Sequence, residues 1–512
     1  MSDPPSDTAG APRPTRPSVR SASPAPSLAP QRSSTATAPG SSRSPRSRPN
    51  PHRPPALERQ APRLVQGDTL TADIGALAAD GTARAVVDDR ELRVRGGVPG
   101  DRATLRIDHV GKHAAWATVV GVDRPSVDRV EAPCPVVLRC GGCPWQMVAP
   151  QAQTARRETL LRESLGDALP PEATFHPTVS AGEPVGYRTR ALMVARHVAG
   201  ALRLGLYAPR SNDLVPAEGC VVQHPRLNQA LEAARDVLAG TNLGTWRGPN
   251  RPGDLRALSL RLDPHRGEGL LTIVAPKPDH RLTGIARALL DIPAIAGVHL
   301  CLNDRPGGQL LAGRVRHLAG ATRQRIDFGD TTVLAGPLAF VQTHHAVAEA
   351  MVARVAKLLP QRVDHLVDLY AGVGVFGLTL RGRAGGVTLV ERGADACRDA
   401  RANTSRLPAC DHVEVIEGAV EQRVTDALTG GPAEAVVLDP PRAGCRPGVI
   451  EALVARAPGT IVYASCGPKA LARDLRALTA GGYRLTDVVP LDMFPHTPHV
   501  EVLARLERAP PM

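Results

Sequence analysis

From about residue 340 the chain changes texture, and this stretch constrains the fold more than any other. Seven β-rich runs (HLVDLY, GVTLVE, HVEVIEG, AEAVVLD, GTIVYAS, YRLTDVVPL and VEVLARLE) alternate with helical patterns such as AVAEAMVARVAKLLP, ADACRDARANTSRL and PKALARDLRALTAGG. Strands two-sidedly apolar and spaced by helices have one economical arrangement. It is an α/β, doubly wound, mostly parallel sheet of about seven strands. That architecture collects ligands beyond the carboxyl ends of its strands, so the chemistry is sought where these runs stop.

The first run ends in VDLYAGVGVFGL, with Asp368 followed by Gly372 and Gly374. The glycines let a cofactor lie against the backbone, and Asp368 is placed to meet a charged or hydroxylated group. Glu391 closes the next run 23 residues later, where an acid binds ribose hydroxyls. The spacing is not the dinucleotide fingerprint and no phosphate-gripping lysine stands nearby, so S-adenosylmethionine fits better than a nucleotide. The fourth run ends in VVLDPPRAG, whose two prolines hold Asp439 rigidly at the sheet's edge; Arg442, where amino-methylating enzymes carry an aromatic, argues against exocyclic amine chemistry. The fifth ends in YASCGP. Pro468 suits the first turn of a helix, so Cys466 stands at a helix N-terminus, where the dipole and free N–H groups are expected to lower its pKa. Cys397 and Cys410 read as packing, and Cys445 lacks this placement. The last segment, DMFPHTPHVE, brings Glu501 and two histidines to the same rim, the histidines reading as loop or supporting groups rather than a metal pair.

Upstream the chain is built of other materials. Residues 1–61 are rich in Ser, Pro, Ala and Arg and are expected to be a disordered basic tail. Half of the formal net charge of +12 comes from it, so overall charge is weak support for a nucleic-acid partner. Residues 62–123 hold five short alternating runs, expected to form a small antiparallel barrel of the OB type. With VPGD at 98–101 and the exit PSVDRV at 125–130, this stretch resembles a TRAM domain, an OB-like RNA-binding module. Residues 124–335 read as an α+β middle domain in which Arg188, Arg190 and Arg196 are either a phosphate-tracking or a merely solvated face. It opens on CPVVLRCGGCPWQ. Cys134, Cys140 and Cys143 have the density of a metal site, Cys220 or Cys301 is the fourth ligand, and zinc and an iron–sulfur cluster suit four thiolates equally. No run of 18 apolar residues and no secretory h-region occur. Nine cysteines in 512 residues fit a reducing cytoplasm better than a disulfide scaffold.

The combination of CGGCxxQ (140–146), FVQ (340–342), DLYAGVG (368–374), DPPRAG (439–444), SCGPKALARDL (465–475) and DMFPHTPHVE (492–501) resembles the RNA uracil-C5-methyltransferase family. The likeness is greatest to bacterial 23S rRNA enzymes that carry a TRAM domain and an iron–sulfur cluster, and it runs from about residue 62 to the C-terminus, placing the methyltransferase domain at 336–512. The resemblance implies that Cys134, Cys140, Cys143 and Cys220 hold a [4Fe–4S] cluster. It implies that Gln342, Tyr370, Glu391 and Asp439 surround S-adenosylmethionine, that Cys466 is the nucleophile and that Glu501 is the general base. His344 stands where the family usually has Asn, and Gly467 where Asn or Asp is common. Thiolate addition at C6 would make C5 of uracil nucleophilic enough to take a methyl group, and a carboxylate would then remove the C5 proton. The base must be unstacked, as in RNA loops, and with 13 aromatics in the chain the grip on RNA should be mostly on backbone and shape. The expected partner is ribosomal RNA, with the T-loop uridine of tRNA as the other substrate; no membrane and no protein partner is indicated, and the chain is expected to be a cytoplasmic monomer. A catalytically inactive RNA-binding protein would have lost the nucleophile, the base or the cofactor turn, and all three are present.

Overall fold

The computed structural model describes residues 64–509 apart from Pro249 and Pro252; the basic tail expected at 1–61 lies outside the described residues. The first sheet consists of β1 (Thr69–Asp73), β2 (Ala83–Val87), β3 (Arg90–Arg95), β4 (Arg102–Val110) and β5 (Ala114–Arg124). Its order is β1-β4-β5-β3-β2, antiparallel except where β3 runs parallel to β5. Alternation is strict where it matters: Leu92 and Val94 of β3 and Ala103, Leu105 and Ile107 of β4 face one core. Just beyond β1, Gly75 N–H donates to Arg84 (2.7 Å) and Arg84 N–H to Ala76 (3.0 Å), drawing the edge strands β1 and β2 together. Asp101, fully buried, accepts from Val98 N–H (2.8 Å) and Ser126 N–H (2.9 Å) and pairs with Arg129 at 2.6 Å. The VPGD turn is thereby fastened to the exit segment 125–130.

A four-residue α1 (Val137–Cys140) follows, ended by Gly141 in the left-handed region, and then α2 (Pro150–Leu165) and a two-residue strand β6 (Thr174–Phe175). The middle sheet is β7 (Arg190–Val198), β8 (Ala201–Tyr207), β9 (Leu214–Pro216), β10 (Ala257–Leu262), β11 (Gly269–Ala275), β12 (Ile295–Leu302) and β13 (Arg314–Gly320), in the order β13-β12-β11-β10-β7-β8-β9. Helices α3 (Pro225–Ala239) and α4 (Arg281–Leu290) pack their buried leucines onto it. A hairpin, β14 (Gln324–Phe328) and β15 (Thr331–Ala335), leads into the C-terminal part.

There α5 (His345–Leu358), β16 (Val363–Leu369), α6 (Val375–Leu380), β17 (Ala384–Glu391), α7 (Ala394–Arg406), β18 (Val413–Glu417), α8 (Val420–Ala427), β19 (Glu434–Leu438), α9 (Val449–Arg456), β20 (Thr460–Ser465), α10 (Pro468–Ala480), β21 (Tyr483–Leu491) and β22 (Glu501–Arg508) follow in turn. All seven strands read from the sequence form one sheet, ordered β18-β17-β16-β19-β20-β22-β21, and β6 adds an eighth beside β21. Only β22 runs antiparallel to its neighbours. Strand order reverses between β16 and β19, the position that opens a ligand crevice. Residues 150–175, which the sequence assigns to the middle domain, pack on this sheet: Leu161 and Leu165 of α2 share a core with Leu471 and Leu475 of α10.

One buried cation joins the middle sheet to the segment that enters the C-terminal part. Arg261 of β10 donates to the carbonyls of Ala335 (3.0 Å), Gly336 (2.8 Å) and Ala339 (2.7 Å) and to Gln324 Oε1 (2.6 Å). Burial pushes its pKa down to about 9. Arg261→Leu strands three carbonyls and is expected to cost about 3 kcal/mol or more, read as a lowered midpoint in thermal denaturation. Arg484→Ala, from an exposed pair with Glu507 at 3.2 Å, is expected to change stability by less than about 1 kcal/mol.

Candidate active site at the carboxyl ends of the central strands

The turn after β16 is conformationally demanding. Tyr370 has φ +65°, unusual for a residue with a side chain, and Gly372 and Gly374 have φ +57° and +88°. At Gly374 a Cβ would also stand 2.8 Å from Leu378 and 2.9 Å from Leu389, so the turn needs glycine there for space as well as for φ. Asp368 is buried beneath it; its Oδ2 accepts from Gly377 N–H at 2.8 Å, while Oδ1 has no partner. Glu391 braces the turn, accepting from Gly372 N–H (3.1 Å) and Gly393 N–H (2.6 Å). Gln342, Tyr370, Gly372 and Asp439 line the cleft above, with Phe328 and the exposed Phe340 as its aromatic walls. The two phenylalanines escaped the sequence reading. Phe328 comes from a hairpin with no local functional mark, and Phe340 was legible only as part of FVQ.

Asp368, Asp439 and Glu501 stand at this rim with no arginine or lysine against them. Burial raises Asp368 and Asp439 to about 7, and raises Glu501 well above its ordinary value, with Asp439 adding to the effect on Glu501 and on Asp368. Asp368 Oδ1 and Glu501 Oε1 are buried and unpartnered. Such a donor set suits a cationic ligand that also carries hydroxyl or amino hydrogens, and S-adenosylmethionine has both.

Cys466 follows β20 and precedes Gly467, the N-cap of α10, with Pro468 as its first residue. Its half-buried thiol opens into a cavity of about 310 Å³ shared with Arg442, Lys469 and His499, and closed by Leu160 of α2 and Ala79 of the turn between β1 and β2. The helix-terminus placement is as expected, but the expected lowering of the pKa is corrected. Burial, then the carboxyls of Glu501 and Asp439, push the thiol up to about 11 against the opposing charge of Arg442. The dipole argument considered only the local helix; the desolvating walls and the acids come from other elements. Gly467 has its own reason here, since a Cβ would lie 2.3 Å from the Arg442 carbonyl oxygen. The DPPRAG loop thus rests directly on the turn that carries Cys466. Asp474 of α10 fixes that loop, accepting from Cys445 N–H (2.9 Å) and Tyr463 Oη–H (2.7 Å).

Cys140 and Cys143 are both pushed upward, Cys143 to about 12, by burial and by the proximity of Cys220 and Cys134. The four thiols therefore share one neighbourhood, whereas Cys301 is buried in β12 beside Arg256. Among the described residues no three of these sulfurs lie within 4.8 Å of one another. A zinc tetrahedron would hold four thiolates about 3.8 Å apart. The loop also supports the active site. Trp145 N–H donates to His496 (3.0 Å), and Gln153 of α2 donates to Trp145 (3.1 Å) and accepts from His496 N–H (2.9 Å). Arg157 of α2 pairs with Asp492 at 2.7 Å and bonds the Thr497 carbonyl. Together they clamp the segment that delivers Glu501. His496 and His499 part company, the first held by Gln153 and the second against Arg442 at 3.3 Å. His344 stacks on Tyr187 with ring centroids 4.6 Å apart. Of the three arginines, Arg188 is exposed, whereas Arg190 and Arg196 are half-buried, Arg196 donating to Tyr207.

Comparison with known proteins places this geometry in context. Residues 336–509 match the family described as tRNA (Uracil-5-)-methyltransferase. An uncharacterized RNA methyltransferase of Gloeobacter violaceus is 36% identical over 464 residues, covering 87% of this chain and 98% of the relative. One from Thermosynechococcus vestitus is 33% identical over 449 residues, covering 86% and 98%. The crystal structure of Pyrococcus abyssi tRNA (uracil-54, C5)-methyltransferase in complex with S-adenosyl-L-homocysteine superposes with a TM-score of 0.67 at 25% identity, covering 85% of this chain and 100% of that one.

The raised carboxyls set a pH dependence for S-adenosylmethionine binding. A group whose folded pKa is raised to about 7 is protonated below that value and offers no charge to a cation. Affinity is expected to fall by up to about tenfold per pH unit below 7 and to level off above it; Asp439→Asn should weaken binding and flatten the profile in isothermal titration calorimetry. Gly467→Ala must move the Arg442 backbone and is expected to lower kcat by about 10²-fold with little change in that affinity.

Proposed function

The chain belongs to the RNA uracil-C5-methyltransferase family, and from that premise we propose that it methylates C5 of an unpaired uridine in 23S rRNA through a covalent Cys466–C6 adduct. The observation that carries this reading is the meeting of Cys466, Asp439 and Glu501 at one rim, beside a cleft built from Gln342, Tyr370 and Gly372. Asp368, Glu391, Gln342, Tyr370 and Asp439, with the Gly372–Gly374 turn, hold the cofactor. Bound there, S-adenosylmethionine supplies an electrophilic methyl group on a positively charged sulfur.

Cys466 Sγ adds to C6 of the base, and the C5–C6 π electrons move toward the C4 carbonyl, leaving C5 as an enolate carbon. After C5 is methylated, Glu501 takes the C5 proton, the C5–C6 double bond re-forms and the S–C6 bond breaks, returning the thiolate. A carboxylate with a raised pKa is a stronger base than an exposed one and is matched to this step. Arg442 stands over the thiol and favours its anion. The cavity's walls come from α2, α10 and the turn between β1 and β2, a niche for a nucleotide turned out of its stack.

Residues 62–123 are proposed to act as a TRAM-like RNA-holding module, 124–335 as the middle domain and 336–512 as the methyltransferase domain. Cys134, Cys140, Cys143 and Cys220 are proposed to hold a [4Fe–4S] cluster, which supplies a rigid cross-link between the CGGC loop and the turn at Cys220. The hydrogen bond from Trp145 to His496 gives that cross-link a path to Glu501. A tRNA T-loop uridine is the second reading, favoured by the likeness to the Pyrococcus abyssi tRNA enzyme.

Transfer of tritiated methyl to separately purified 23S rRNA and tRNA distinguishes the substrates; labelling of tRNA alone replaces the ribosomal reading. Cys466→Ala is expected to lower the rate by about 10³-fold or more, and full activity in that variant overturns the adduct. Glu501→Gln is expected to slow turnover by about 10²–10⁴-fold and to leave a methylated RNA–protein adduct stable on a denaturing gel. The protein should purify brown, with absorption near about 400 nm, and Cys143→Ala should lose both colour and thermal stability; a colourless zinc protein contradicts the cluster.

A further inference from the structure

We propose that His265, His345 and Glu349 form a zinc(II) site, separate from the four cysteines, that pins the turn between β10 and β11 to the first turn of α5. His345 and Glu349 are one helical turn apart on α5, and His265 reaches them from that β-turn. One donor atom from each lies within 4.8 Å of the other two. His265 Nε2 is 3.4 Å and His345 Nε2 is 3.9 Å from the same Glu349 oxygen, Oε2. Zinc with bonds of about 2.0–2.1 Å holds tetrahedral donors about 3.3–3.5 Å apart, so small side-chain shifts close the set around an ion.

Two observations separate this cluster from an ordinary helix ion pair. His345 is only 4% exposed, and its Nε2 has no hydrogen-bond partner. Its ring meets the His265 ring edge-on, 5.0 Å between centroids, so both imidazoles lie at the cluster. The second is the brace beneath. Asp263, fully buried, accepts from the N–H groups of His265 (2.9 Å), Arg266 (2.8 Å) and Asp327 (3.0 Å). A single carboxylate thereby positions both the turn that carries His265 and the strand against His345. Glu349 Oε1 faces Gly329 N–H at 3.4 Å, leaving Oε2 for the metal.

Two imidazoles and one carboxylate favour zinc over magnesium or calcium, which prefer all-oxygen sites. The half-exposed His265 leaves a fourth position open to water. The site adjoins the cofactor cleft without belonging to it. The His345 ring packs against Phe328, 5.2 Å between centroids, and Phe328 is a wall of that cleft.

Cobalt(II), as zinc's spectroscopic stand-in, is titrated into the purified full-length chain and then displaced with zinc. The expected result is one equivalent of cobalt giving visible ligand-field bands without a thiolate charge-transfer band. His265→Gln and Glu349→Gln should each weaken that binding by about 100-fold or more, and the exposed His265 makes its variant safe for folding, checked by circular dichroism. Absence of such bands, bands of thiolate character only, or unchanged affinity in a folded His265→Gln overturns the proposal.

Discussion

Three carboxyls at the edge of one sheet, Asp368 and Glu501 fully buried and Asp439 half-buried, with no basic side chain among the described residues beside them, are the constraint on which the rest of this molecule turns. An acid removed from water without a cation is costly, and here Asp368, Asp439 and Glu501 all carry that cost. The fold sustains it because each acid sits at the end of a well-packed strand or just past one. Val367 and Leu369 flank Asp368, Leu438 precedes Asp439, and Val502 and Leu503 follow Glu501, all fully buried. The strained turn at Tyr370 and the glycines after it are part of the same arrangement, since they keep the cleft floor as bare backbone. A cationic ligand would relieve that cost while leaving the acids ionised, and the proposed cofactor carries such a charge.

Much of this was legible in the sequence for a physical reason. Strands buried on both faces leave apolar runs that end abruptly, so the seven strands and the polar residues at their ends are marked locally. The cysteine loop is marked as well, because three thiols in ten residues have few structural uses. What escaped the reading is carried by partners far apart in the chain. Gln153 and Arg157 look like ordinary polar positions of a helix, yet Arg157 is 1% exposed and holds Asp492 from more than 300 residues away. The strand β6 is two residues long and exists only because β21 offers it an edge. The direction of the Cys466 pKa failed for the same reason: the helix terminus is local, while the walls around the thiol are not.

The parts upstream of the C-terminal sheet complete its site rather than merely decorating it. Ala79 and Leu160 close the cavity over Cys466, Trp145 and Gln153 position the segment before Glu501, and Arg261 ties the middle sheet to the residues preceding FVQ. A bare methyltransferase sheet would have the cleft but no roof over Cys466. The departure at Gly467 fits this close construction. Where Asn or Asp is common in the family, this chain brings the Arg442 carbonyl to where a Cβ would stand, so the DPPRAG loop itself supports the turn at Cys466.

The electrostatics also imply an order of events. In the ligand-free protein the thiol of Cys466 is held up to about 11, partly by Glu501 and Asp439. Adjacent carboxyls of this kind do not readily ionise together, and a free thiolate beside them would add a third negative charge. A positive charge in the cleft would offset part of this repulsion, lowering the cost of ionising the carboxyls and of a thiolate beside them. One of the two carboxyls that keep the resting thiol protonated, Asp439, is then also one proposed to hold the cofactor. On the proposed mechanism, reactivity toward the base would therefore be tied to the presence of the methyl donor.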